Sequence, residues 1–145
     1  MKNQMIINNG IKYLFLDDMR NPKDVFSYYK ERVYVERRWD IVRDYNEFVE
    51  WIEENGMPLV VSFDHDIAQE HYVPEHLWND YELSKKFQDE QKYKEKTGYD
   101  CAKYMVNKCL DNNVPLPRYY CHSMNPVGKD NIMRLLNKFN NYERR

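Results

Sequence analysis

Apolar runs punctuate a mostly polar chain, and two of them stop abruptly on acids. Ile11-Lys-Tyr-Leu-Phe-Leu16 ends at Asp17-Asp18, and Leu59-Val-Val-Ser-Phe63 ends at Asp64-His65-Asp66. Short, nearly continuous runs of this kind predict strands buried on both faces, as in a parallel sheet covered by helices. Between them, Asn21-Pro22 breaks the chain and residues 23–31 fit a short helix. The alternation Arg32-Val-Tyr-Val-Glu36 predicts a second strand near a sheet edge. Residues 40–55 then carry Val42, Tyr45, Phe48, Val49 and Ile52 at helical spacing, with Gly56 as a C-cap and Pro58 closing the segment.

Residues 67–96 are polar, aromatic and charged, and read as an insertion with a helix over 79–94. Its aromatics (Tyr72, Trp78, Tyr81, Phe87, Tyr93) suit the anchors of a solvated helix; a lid that stacks on a nucleobase is the alternative. Thr97-Gly-Tyr-Asp100 is a capping signal, followed by a helical stripe of Ala102, Met105, Val106, Cys109 and Leu110 that ends before Pro115 and Pro117. Arg118–Cys121 is a short strand leading to His122-Ser123. Asn125-Pro126 suits the N-cap and first position of a last helix bearing Ile132, Leu135, Leu136 and Phe139.

With no internal repeat, the pattern predicts one α/β domain over residues 1–145, with a mostly parallel sheet of four or five strands between helices. In such sheets ligands bind beyond the carboxyl ends of the strands, where the strand order reverses. Asp17, Asp18, Asp64, Asp66, His122 and Ser123 all follow predicted strands directly.

Composition narrows the partners. Lys and Arg number 22 against 24 Asp and Glu, so nothing attracts duplex nucleic acid or an anionic membrane in general, although a local basic pocket stays open. No apolar run approaches the ~20 residues of a membrane span. The first ten residues are polar and Asn-rich, unlike a secretory leader. Cys101, Cys109 and Cys121 form no C-x-x-C pair and read as buried free thiols, which places the chain in a reducing, cytoplasmic compartment.

Clustered carboxylates repel one another unless a cation lies among them, and hard oxygen ligands suit Mg²⁺ or Mn²⁺. Asp17, Asp18, Asp64 and Asp66 are the candidate ligands. Arg20 either neutralises one of the acids or holds a phosphate oxygen in bidentate fashion. His65 is a candidate general acid or base, or a further ligand. The stretch His122-Ser-Met-Asn-Pro126-Val-Gly-Lys129 places a helix N-terminus, a glycine and a cation together, which is an anion site. His71 and His76 lack metal-ligand spacing and read as surface residues.

Leu16-Asp-Asp-Met-Arg-Asn-Pro22, Ser62-Phe-Asp-His-Asp-Ile67, Thr97-Gly-Tyr-Asp100 and His122-Ser-Met-Asn-Pro-Val-Gly-Lys129 together resemble the cyclic-phosphate-processing receiver-like family, from about Ile11 to Phe139. The resemblance implies the flavodoxin-like, three-layer fold of response-regulator receivers, with bacterial and phage members, and a host-cytoplasm location for a phage-encoded one. It also implies processing of cyclic phosphates, such as one on ADP-ribose left by RNA repair. Asp17 and Asp18 would match the receiver's acidic pair, Asp64 its phospho-accepting position, Ser123 its hydroxyl position and Lys129 its lysine. The added His65, Asp66 and His122 favour hydrolysis over phosphorelay.

The expectation is thus a metal-dependent phosphoesterase acting on a small nucleotide-like cyclic phosphate. Asp64, His65 and His122 would carry the chemistry, with Asp64 either nucleophile or ligand. Arg20, Ser123, Asn125 and Lys129 would hold the substrate. The alternative is a non-catalytic module: a phage-encoded sponge for a nucleotide messenger, or a degenerate signalling receiver. Homodimerisation is left open. Val61-Ser-Phe-Asp-His-Asp66 also looks like the Asp-x-Asp start of haloacid-dehalogenase-type phosphatases, but those enzymes need later lysine and acidic motifs and no acidic pair follows Lys129.

Overall fold

The computed structural model describes residues 11–67 and 96–143. Along the chain these form β1 (Tyr13–Leu16), α1 (Pro22–Tyr29), α2 (Val33–Glu36), β2 (Trp39–Val42), α3 (Tyr45–Asn55), β3 (Val60–Phe63), α4 (Gly98–Asn112), β4 (Arg118–Cys121) and α5 (Pro126–Glu143). The four strands make an all-parallel sheet in the order β2-β1-β3-β4. This is the flavodoxin-like α/β sandwich expected from the sequence, with four parallel strands.

Strand order dictates where the helices go. The step from β1 to β2 runs one way across the sheet, and the steps from β2 to β3 and from β3 to β4 run the other way. Right-handed crossovers then require α1 and α2 on one face and α3 and α4 on the opposite face. The two apolar clusters follow this division. Phe15, Val25, Tyr34, Trp39 and Val60 pack on the α1–α2 side. Leu14, Leu16, Phe48, Ile52, Val61, Phe63 and Met105 pack on the other, joined by Ile132 and Leu136 of α5. The chain reverses direction between β1 and β3, so the crevice for a ligand lies at their carboxyl ends.

Strands β1, β3 and β4 fall inside the runs that predicted them, and Thr97 opens α4 with Asp100 accepting its N–H at 2.8 Å. Two elements differ from expectation. The predicted strand Arg32–Glu36 is a single helical turn, Val33–Glu36, and the second strand lies at Trp39–Val42. Tyr34 is the one buried residue of that turn, so its flanking valines alternate without a pleat. Trp39 supplies the apolar residue that pairs in register with Tyr13. The helix read over 40–55 begins only at Tyr45, because the Asp44 carboxylate caps it by accepting the Glu47 N–H at 2.8 Å. Val42 owes its burial to β2. Asn21-Pro22, read as a break, is the N-cap and first residue of α1. The helix read over 79–94, together with His71 and His76, lies outside the described residues.

Candidate active site

Register places the chemistry. Leu16 pairs with both Val42 and Phe63, and Phe63 pairs with Cys121, so the residues one step beyond each strand are neighbours. The ladder continues into them: Asp17 N–H donates to Val42 O, Asp64 N–H to Leu16 O and His122 N–H to Phe63 O, at 3.0–3.1 Å. Strand alternation adds a second condition. Asp17 follows the parity of Phe15, Asp64 that of Ser62 and His122 that of Tyr120, so all three turn toward the α1–α2 face. Their ligand atoms lie within 4.8 Å of one another, and all three residues are buried.

Asp17 is held from three directions. Its Oδ1 accepts the backbone N–H groups of Met19 and Arg20, each at 2.9 Å, which folds the β1–α1 loop around the carboxylate. Its Oδ2 faces His122 Nε2 at 3.1 Å, with Arg20 Nη1 more loosely placed at 3.9 Å. Burial pushes the Asp17 carboxyl up, but the His122 bond and the two N–H donors outweigh it and leave the group below its ordinary value. Arg43, at the end of β2, ties the same loop down. Its guanidinium donates to Asp17 O, Arg20 O and Asn21 Oδ1 at 2.8–3.1 Å.

Asp64 has no such support. One backbone N–H, that of His65, donates to it at 2.9 Å. Burial, and then the charge of Asp17, push its pKa up to about 7. Asp18 is also raised, by burial and by Asp17, and its buried Oδ2 has no hydrogen-bond partner among the described residues. Buried oxygens of this kind are normally satisfied. Three carboxylates at one cleft, one with an oxygen unpaired among the described residues and one whose pKa is raised to about 7 by burial and its neighbours' charge, fit a hard divalent cation. Asp17, Asp18 and Asp64 would supply the oxygens.

These residues line a cleft of about 420 Å³ together with Met19, Arg20, Asp66, Ser123, Met124, Asn125 and Pro126. Asp66 bonds His65 Nδ1 through one oxygen at 2.9 Å and faces Asn125 Nδ2 through the other at 3.4 Å. Asn125 Oδ1 meanwhile accepts the Gly128 N–H at 3.1 Å, capping α5. Ser123 Oγ accepts the Asn125 N–H at 3.1 Å, and its own proton has no partner among the described residues. A cleft of about 510 Å³ at the other end of the sheet is lined by Tyr13, Met57–Val60 and Pro115–Arg118, with no carboxylate.

Of the residues singled out in the sequence, Asp17, Asp18, Arg20, Asp64, Asp66, Ser123 and Asn125 line the acidic cleft. His65, His122 and Lys129 do not. The His65 ring packs against Gly128, where a Cβ would come within 2.3 Å of it. His122 is fully buried and stacked on Phe15, with ring centroids 4.4 Å apart. Its burial, opposed by the bond to Asp17, lowers its pKa. Lys129 Nζ donates to Tyr29 OH at 2.8 Å, and that hydroxyl donates to Ser123 O at 3.0 Å. Sequence reading missed Arg43, Tyr34 and Ser62, which touch this constellation from behind. Ser62 was the one visible anomaly: a hydroxyl inside an otherwise apolar buried run.

A parallel α/β sheet with an acidic cleft at its strand-order reversal defines a receiver-like domain with a candidate cation site. The chain belongs to the cyclic-phosphate processing receiver domain family, whose profile matches residues 12–138. No curated protein and no solved structure matches it. Among the described residues, no helix is long and apolar enough to cross a membrane.

Proposed function

We propose that the protein is a divalent-metal-dependent phosphoesterase that opens a cyclic phosphate on a small nucleotide-like substrate. One observation carries the reading: Asp17, Asp18 and Asp64 line one cleft, where Asp18 Oδ2 has no hydrogen-bond partner among the described residues and burial with the charge of Asp17 pushes the Asp64 carboxyl up to about 7. The family's association with cyclic-phosphate processing supplies the reaction class. Mg²⁺ or Mn²⁺ held by these oxygens would polarise the phosphoryl group and lower the pKa of a water.

The protein's own groups divide the remaining work. Arg20 and the Ser123 hydroxyl line the same cleft as the carboxylates and bind the phosphate oxygens. Asp66, at the cleft and backed by His65, accepts a proton from the attacking water and returns it to the leaving alkoxide. One P–O ester bond breaks, one P–O bond to water forms, and the product is a phosphate monoester. His122 holds Asp17, and Lys129 steadies the Ser123 carbonyl through Tyr29.

The test is incubation with a panel of cyclic-phosphate nucleotides, including ADP-ribose cyclic phosphate, with Mg²⁺ or Mn²⁺, read by mass spectrometry. Hydrolysis adds one water to the ligand and disappears in Asp64→Asn. A ligand bound tightly and recovered unchanged would make the protein a sponge instead.

A further inference from the structure

We infer that Ser62 and Tyr34 are positioning residues for the acidic cleft: a one-way chain of hydrogen bonds runs from Tyr34 through Ser62 and His122 to Asp17 and leaves that carboxylate a single oxygen lone pair to offer a cation. The ligand's identity as a divalent cation rests on the proposed function; the chain of bonds stands on its own geometry.

Tyr34 OH lies 2.7 Å from Ser62 Oγ, Ser62 Oγ lies 2.7 Å from His122 Nδ1, and His122 Nε2 lies 3.1 Å from Asp17 Oδ2. All four residues are buried, none more than 3 % exposed. Neither Ser62 nor Tyr34 lines the cleft. A serine in the middle of a buried strand is costly unless its hydroxyl is paired, and here it is paired on both sides.

The direction of the chain follows from its two ends. At Asp17, Oδ1 already accepts two backbone N–H groups, which favours the ionised carboxylate, so Oδ2 accepts as well and His122 carries its proton on Nε2. A second proton on Nδ1 would make Ser62 accept there and donate to Tyr34, the reversed order that the Tyr34 end excludes, so Nδ1 is bare and the Ser62 hydroxyl satisfies it. With its one proton committed, Ser62 accepts from Tyr34. At the other end, the reversed chain would turn the Tyr34 proton away from Ser62, toward no acceptor among the described residues. Both ends give the same order.

The consequence is a lone-pair count. An ionised carboxylate offers about four acceptor sites. Met19, Arg20 and His122 take three of those of Asp17. One oxygen lone pair is left, so Asp17 meets a cation through one oxygen only. Stacking on Phe15, with the rings 5° from parallel, fixes the plane of the imidazole, and Ser62 fixes its rotation within that plane. Partners behind a ligating carboxylate set its orientation in this way.

The test combines nitrogen NMR of the His122 ring in metal-free protein with the Mn²⁺ affinity of wild type, Ser62→Ala, Ser62→Thr and Tyr34→Phe. The wild-type ring should be neutral with its proton on Nε2 and a hydrogen bond accepted at Nδ1. Ser62→Ala should move the Nδ1 resonance to that of an unbonded nitrogen and weaken Mn²⁺ binding about 10- to 100-fold, the usual loss when an outer partner of a metal ligand is removed. Tyr34→Phe, which keeps the core volume, should shift both readouts the same way by less, and Ser62→Thr should restore them. A proton on Nδ1 in wild type, or unchanged Mn²⁺ affinity in folded Ser62→Ala, overturns the inference. A purely structural role would lower melting temperature and move neither readout. Wild type that binds no Mn²⁺ would defeat the proposed function, and the position of the His122 proton would still decide the chain.

Discussion

Asp17 and Asp64 are both almost fully buried at adjacent strand ends, yet their carboxyl groups titrate in opposite directions. The difference lies in donors. Asp17 collects two backbone N–H groups and His122, whereas Asp64 receives one backbone N–H and faces the charge of Asp17. Asp64, raised to about 7, therefore binds its proton more tightly in the folded chain than in the unfolded one, where the value is near 3.8. Its contribution to stability is fully present below the unfolded value and is lost as pH rises toward 7. Asp64→Asn removes that dependence. Without metal, the variant should melt above wild type at pH 8, by an amount on the order of a few kcal/mol at most, and the gap should close toward pH 4. Shifts at Asp17 and His122 occur in both proteins and largely cancel in the difference. Melting curves in chelator across that range check it, and a gap that is constant with pH would exclude Asp64 as the strained group.

Elements act on the site by pressing against it. The first residue of α4, Gly98, sits where a Cβ would come within 1.7 Å of the Asp64 carbonyl oxygen, and its N–H donates to His65 O at 2.8 Å. The obstacle is backbone, so Gly98→Ala must displace either the helix start or the end of β3. A loss of about 1–3 kcal/mol in stability is expected, as for overpacked cores, together with a weaker thermal response to Mn²⁺. Normal metal response in a destabilised Gly98→Ala would show that the helix start can yield without moving Asp64. Arg43 acts on the opposite side of the cleft. Arg43→Ala should speed hydrogen exchange at the Met19 and Arg20 amides, because the loop carrying them loses three anchoring bonds. Unchanged protection there would mean that the Asp17 carboxylate alone orders the loop.

The same contrast between local and non-local causes explains what the sequence made legible. Buried runs ending on acids located β1 and β3, and Thr97 and Asn125-Pro126 located the starts of α4 and α5, because each signal is complete within a few residues. Tyr34 could not be read this way: a valine-flanked tyrosine alternates like a strand, and its single turn is explained only by packing on Trp39 and Phe15. Residues 40–44 failed for a related reason, since Val42 fits a helical stripe by accident of spacing. The acids of the cleft were visible as a set. The Tyr34–Ser62–His122 connection joins three separate segments and leaves no local pattern.

For the molecule as a whole, strand order is the decisive feature. Reversal between β1 and β3 opens a crevice, and the parallel register delivers Asp17 and Asp64 to it from two strands, with His122 at the end of a third strand bonded to Asp17 from behind. The paired strands hold these like charges together, and a cation bound among them would relieve the repulsion by binding the native state. Ring opening of a cyclic phosphate at this crevice is the central claim. The most direct measurement is phosphorus NMR of cyclic-phosphate nucleotides, ADP-ribose cyclic phosphate among them, mixed with metal-free protein before and after addition of Mg²⁺. The account predicts that a cyclic-phosphate resonance gives way to a monoester resonance only after Mg²⁺ is added, and that Asp64→Asn abolishes the change. Cyclic resonances that all persist with wild type and Mg²⁺, or that vanish equally fast with Asp64→Asn, would contradict it.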